Sequence, residues 1–236
     1  MVKWCARLLG GAGFFLAVPM AAALAVPSNV LTNGNLDLGS GGSGKYGAFT
    51  GWSVGGSGGT SPGTGPQWIT LGGVATAYGD AVPVSPLDVS PDPAGIHALY
   101  FVDDNAHETL SQTVLLTAGV TYQAGFDFFE TTSGAGNPAG FTLTEAIGSL
   151  VLDSVTSSGL VAGTWIHAGG SFTPTASGDA TFTLTYSTGS GTGKDLVVDN
   201  LMLVPSAGGA AVPEPGTLAV LGVAFAGLGL ARRRRG

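Results

Sequence analysis

The sequence predicts an all-β chain, an antiparallel β-sandwich of the jelly-roll type, flanked by an N-terminal signal helix and a short C-terminal transmembrane helix. Three observations carry the sandwich. Apolar and polar residues alternate with period two through most of 29–204, helical spacing is nearly absent there, and clusters of Gly, Ser, Pro and Asn break the alternation at short intervals. Composition agrees: 41 Gly and 13 Pro among 236 residues stop just short of a disordered composition, and 44% hydrophobic residues suffice for a core.

The amino-terminal end comes first. Lys3 and Arg7 precede an apolar run over 8–24, which closes on Ala23-Leu24-Ala25. A basic region, a hydrophobic region and a small-x-small site in that order read as a signal peptide, residues 1–25, handled by the Sec machinery and cut after Ala25. Cys5 precedes the apolar run, which excludes a lipoprotein. As it is the single cysteine, its removal leaves neither a disulfide framework nor a thiolate metal site.

The body, residues 26–205, follows as one domain. Phe182, Leu184 and Tyr186 alternate with Thr181, Thr183 and Thr185, and Tyr122, Ala124, Phe126 and Phe128 alternate with Gln123, Gly125, Asp127 and Phe129. Further strands are expected over 30–38, 49–54, 68–71, 96–102, 110–115, 141–147, 149–155, 165–172 and 196–204. Short turn-joined strands of this number fit one antiparallel sandwich rather than two domains. Six of the eight basic residues lie in the two ends, so residues 26–212 hold only Lys45 and Lys194 against fourteen acids, a net charge of −12. Such a field repels phosphate backbones and excludes a nucleic-acid partner.

The carboxyl end has its own order. A Ser/Gly/Ala linker at 206–211 leads to Val212-Pro213-Glu214-Pro215, an apolar stretch at 217–231, and Arg232, Arg233, Arg234 and Arg235. A helix over 217–231 would be about 22 Å long, against roughly 30 Å of hydrocarbon, and arginine stems can snorkel across the difference. Four arginines stay cytoplasmic, which places the body outside. The two prolines hold Pro213-Glu214-Pro215 extended and exposed.

This arrangement resembles the PEP-CTERM protein-sorting signal, also catalogued as the ice-binding-protein C-terminal motif, over residues 212–236. The resemblance implies an exosortase, a membrane cysteine transpeptidase that recognises Pro213-Glu214-Pro215, removes the tail and leaves the body at the cell surface or outside the cell. It further implies association with exopolysaccharide and biofilm matrix, with the membrane engaged only transiently. Ice binding is not expected, because the body lacks a regular Thr-x-Thr ladder on successive repeats.

The body carries a resemblance of its own. "LTNGNLD" at 31–37, "FTGWSV" at 49–54, "LSQTVLLTAGVTYQAGFDF" at 110–128 and "LVVDNLMLV" at 196–204 look like strands of galactose-binding-like jelly rolls, many of which are carbohydrate-binding domains. The family implies a structural calcium shared by an acidic residue after the opening strand and one in the closing strand, positions that match Asp37 and Asp199. No cofactor is otherwise required. Trp68 and Tyr46, which flank the Gly-rich loop, are candidates for stacking on a sugar ring, whereas Trp52 is expected in the core.

Enzyme motifs do not hold up. GSGGSGK at 39–45 has Tyr46 where a phosphate loop needs Ser or Thr, and no helix is expected after it. Ser57 in Gly-x-Ser-x-Gly runs on into Gly-Thr-Ser-Pro-Gly instead of a helix. His97, His107 and His167 lack the spacing of a zinc site, and Asp103, Asp104 and Glu108 beside His107 read as a solvated loop, with calcium ligation as the alternative. The expectation is an exported, non-enzymatic surface or matrix protein that binds polysaccharide. A secreted glycan-active enzyme and a permanently anchored membrane protein stay open as alternatives.

Overall fold

Period-two alternation does build the body. The computed structural model describes residues 27–42, 45–57, 66–72, 74–75, 80–82, 84, 90–102, 104 and 106–206. The expected signal helix, the linker beyond Ser206 and the transmembrane helix lie outside them. Among the described residues no helix is long and apolar enough to cross a membrane.

Strands β1 (Gly39–Gly42) and β2 (Lys45–Phe49) form a hairpin, as do the two-residue strands β5 (Val74–Ala75) and β6 (Asp80–Ala81). The remaining strands are β3 (Ser53–Ser57), β4 (Gln67–Thr70), β7 (His97–Phe101), β8 (His107–Leu116), β9 (Tyr122–Glu130), β10 (Phe141–Ile147), β11 (Leu150–Thr156), β12 (Trp165–Phe172), β13 (Gly178–Thr188) and β14 (Leu196–Pro205). They form two antiparallel five-stranded sheets, ordered β11-β10-β13-β8-β3 and β12-β9-β14-β7-β4. The facing sides bury Leu110, Phe126, Phe128, Leu143, Phe182, Leu184, Tyr186, Leu196 and Val198 in one continuous core, the arrangement in which such sheets pack about 10 Å apart.

The second sheet is apolar on both faces. Ile69, Leu71, Val82, Ala98, Tyr100, Val102, Phe129 and Val197 form a second cluster, with Trp165 against its edge. Burial therefore continues through both phases of β9 from Ala124 onward, which is what a doubly covered strand requires.

Two strand expectations need correction. Residues 30–38 form successive turns and not an opening strand, because Asn33 and Leu36 take left-handed φ of 55° and 52°. The Asn33 side chain fixes the turn by accepting from Leu38 N and donating to Leu38 O, both at 2.9 Å. The stretch 49–54 is likewise broken: β2 ends at Phe49 and β3 begins at Ser53, with Gly51 at φ 85° in the turn between, a conformation that favours glycine. Gln112, on the core-facing phase of β8, ties these turns down. Its amide accepts from Thr32 N at 2.7 Å and donates to Thr32 O at 3.0 Å and Gly51 O at 2.8 Å.

Candidate functional site

Strand pairing on β12, β9 and β14 arranges the outer face of the second sheet into four rows. Trp165 pairs with Phe129 and Phe129 with Val197; His167 pairs with Asp127 and Asp127 with Asp199. Below them Gly169, Gly125 and Met202 form the third row, and Ser171, Gln123 and Val204 the fourth. Cross-strand partners point to one face, so residues up to 81 positions apart, Gln123 and Val204, share this surface.

Gly169 and Gly125 leave the third row without a side chain on β12 and β9, and Met202 fills it on β14. A Cβ on Gly169 would lie 2.2 Å from Ala124 O, and one on Gly125 would lie 2.9 Å from the His167 ring, which rests across it. Gln123, Met202 and Val204, together with Pro27, Pro91 and Pro205, line a shallow, open cavity of about 330 Å³. Ser90 and Ser206 add hydroxyls to it. Apolar walls with a few polar groups, at the lower end of the usual volume range, are what small-ligand sites have.

The second row is polar, buried at Asp127 and Asp199 and exposed at His167. His167 Nδ1 donates to Asp127 Oδ1 at 2.8 Å, and Asn200 Nδ2 donates to Asp127 Oδ2 at 3.0 Å. Holding the proton on Nδ1 leaves the neutral imidazole with Nε2 as an acceptor. Asp199 is wholly buried, and Asn200 N donates to its Oδ1 at 2.7 Å, while its Oδ2 and Asn200 Oδ1 have no partner. Burial first, and the charges of Asp37 and Asp127 after it, push the Asp199 carboxyl up to about 8, against the pull of the Asn200 N–H.

The structure thus brings Asp37 within electrostatic reach of Asp199. Asp37 Oδ1 accepts from Ile96 N at 2.8 Å and His97 N at 3.0 Å. Among the described residues no group of three or more His, Cys, Asp or Glu side chains converges as a metal site. Trp68 is half-buried and packed: its ring stacks on His97 at 3.8 Å and 13°, and Nε1 donates to Leu36 O at 2.8 Å. Its role here is packing, and not the open stacking platform expected of it. Tyr46 belongs to β2, and its side chain is not among those described. Trp52 is in the core, edge-on to Phe182. Ala23, Ala25, Pro213, Glu214, Pro215 and Arg232 to Arg235 lie outside the described residues.

Sequence reasoning missed the His167–Asp127 pair and Glu145. Glu145 occupies a core phase between Leu143 and Ile147, and that charge in an apolar phase was the available signal, whereas Asp127 lies on the phase of β9 that alternates with the apolar one and gave none. Glu145 is wholly buried with both carboxyl oxygens unpartnered. Burial, then the charge of Asp153, raises its carboxyl to about 8.

Comparison with known proteins adds the following. Residues 211–235 match the PEP-CTERM protein-sorting motif, so the chain carries a signal for export and cell-surface sorting. No curated protein matches the sequence. Among solved structures, the chain is similar to the Stig cyclase Fisc from Fischerella sp. TAU, 15% identical over 76% of this chain and 98% of that one, with a TM-score of 0.50. It is also similar to TmCBM61, solved with β-1,4-galactotriose, 18% identical over 76% and 99% of the chains with a TM-score of 0.43. A family 16 carbohydrate-binding module is 18% identical over 75% and 99%, with a TM-score of 0.42. The likeness to the cyclase shows the shared β-sandwich fold.

Proposed function

We propose that this protein is exported through the Sec machinery, held transiently in the inner membrane by a helix over 217–231, and processed by an exosortase at Pro213-Glu214-Pro215. The body then remains at the cell surface or in the extracellular matrix, where it binds polysaccharide without catalysing a reaction. The observation that carries the binding half is the cavity at the lower rows of the outer face of the second sheet, where Gln123, Ser90 and Ser206 supply hydrogen-bonding groups and Ser171 and His167 stand in the adjoining rows. Both carboxylates of this face, Asp127 and Asp199, are wholly buried, and neither can reach a glycosidic oxygen as a glycosidase acid or nucleophile must. Affinity electrophoresis in gels cast with the host's own exopolysaccharide tests the reading: retarded migration supports it, and unchanged migration overturns it.

A structural calcium at Asp37 and Asp199 belongs to the same proposal. Its support is the orphaned, buried Asp199 Oδ2 and Asn200 Oδ1, oxygen groups of the kind a hard cation takes. Binding the ion would displace the proton of Asp199 and offset the repulsion between the Asp37 and Asp199 carboxylates.

A further inference from the structure

We infer that the polysaccharide taken by the trough on β9, β12 and β14 is an uncharged one. The inference rests on the glycan-binding reading above and narrows it to a chemical class.

Charge decides against an anionic chain. Residues 26–212 contain fourteen acids and two lysines. Lys194 Nζ lies 3.1 Å from Glu130 Oε1 and also donates to Ala135 O, so its charge is spent inside the sandwich. Lys45 belongs to β2 in the separate β1–β2 hairpin. No lysine or arginine lines the cavity. The carboxylates near it are Asp127, one row away, and Asp92, next to Pro91 on the cavity wall, which accepts from Asn29 Nδ2 at 2.7 Å; Asp199, whose carboxyl is pushed up to about 8, keeps its proton at neutral pH. A uronate or sulfate group entering here would lose water and gain no cation, while the whole domain repels it beyond the contact distance.

The groups present suit neutral sugars. Gln123 offers an acceptor and a second N–H beyond the one it donates to Ser206 Oγ at 3.3 Å, and Ser90 and Ser206 offer hydroxyls, while Ser171 and His167 stand beside the cavity in the adjoining rows of β12. Sugar hydroxyls are donors and acceptors at once, and these groups answer either role. Pro27, Pro91, Met202 and Val204 provide apolar walls for the C–H faces of the rings.

The experiment uses the full chain in a zwitterionic detergent, with chelator present and then with calcium, against immobilised neutral glucan and galactan and against alginate and polygalacturonate. Retention on at least one neutral polysaccharide, unaffected by salt, and none on the anionic pair is the expected result. Gln123→Ala should weaken that retention about tenfold, the worth of one or two hydrogen bonds, while Thr183→Ala on the opposite sheet leaves it unchanged. Retention on the anionic polysaccharides equal to or above the neutral ones, with or without calcium, overturns the neutral class but leaves glycan binding standing. Retention on none of them sinks both. Neutral binding that ignores Gln123→Ala, or responds equally to Thr183→Ala, removes the trough as the site.

Discussion

Glu145→Gln should make the body more stable at neutral and alkaline pH and leave it unchanged in acid. Glu145 is fully buried in β10, directly across from Asp153, with no partner on either carboxyl oxygen. Its carboxyl rises from 4.5 to about 8 on folding, by burial first and the Asp153 charge second. A folded value above the unfolded one means that the folded state retains a proton the unfolded chain releases. The stabilising preference is therefore fully present below pH 4.5, declines as pH rises, and is gone above about 8. Each pH step between the two values costs about 1.4 kcal/mol, so the loss is about 3 kcal/mol at pH 7 and 4 to 5 kcal/mol above pH 8. Glutamine keeps the shape of the protonated acid and does not titrate. Thermal unfolding of both forms from pH 4 to 9, with calcium chelated, should show coincident midpoints near pH 4 and a gap of about 10 °C near pH 8, at roughly 2 to 4 °C per kcal/mol. Asp199 and the acidic surface give a pH dependence common to both forms, and it cancels in the difference. Parallel curves across the whole range would refute the reasoning, since Glu145 would then be ionised or solvated in the folded protein.

Calcium at a hundredfold excess over its Kd should stabilise the body by about 2.7 kcal/mol, raising the melting temperature by several degrees, and Asp199→Asn should abolish the response to calcium and to chelator. An identical wild-type melting temperature under both conditions would make Asp37 and Asp199 plain polar residues. Gln112→Ala removes three hydrogen bonds that hold the turns at Thr32 and Gly51, and should cost about 2 to 3 kcal/mol, read by urea unfolding. Mass spectrometry of the mature protein from wild-type cells should find no peptides from 218–230; their presence would contradict processing.

The alternating face of each strand was legible because side-chain direction in a strand repeats every two residues, a local property. Phe182, Leu184 and Tyr186 are accordingly buried while Thr183 and Thr185 are not. The sorting end was legible because an address is read as linear sequence. Local pattern misjudged 30–38, where two left-handed residues and a side-chain cap override strand-like alternation. The rows on the open face of the second sheet had no signature, because they depend on the register between β9, β12 and β14, and register is set by tertiary pairing. Resemblance named Asp37 and Asp199 together, but only the fold decided that Asp199 has an orphaned oxygen and that Asp127 holds His167 beside it. Glu145 was visible as a charge in an apolar phase; that no partner reaches it is a fact of packing, for the neighbours that could satisfy it come from other strands.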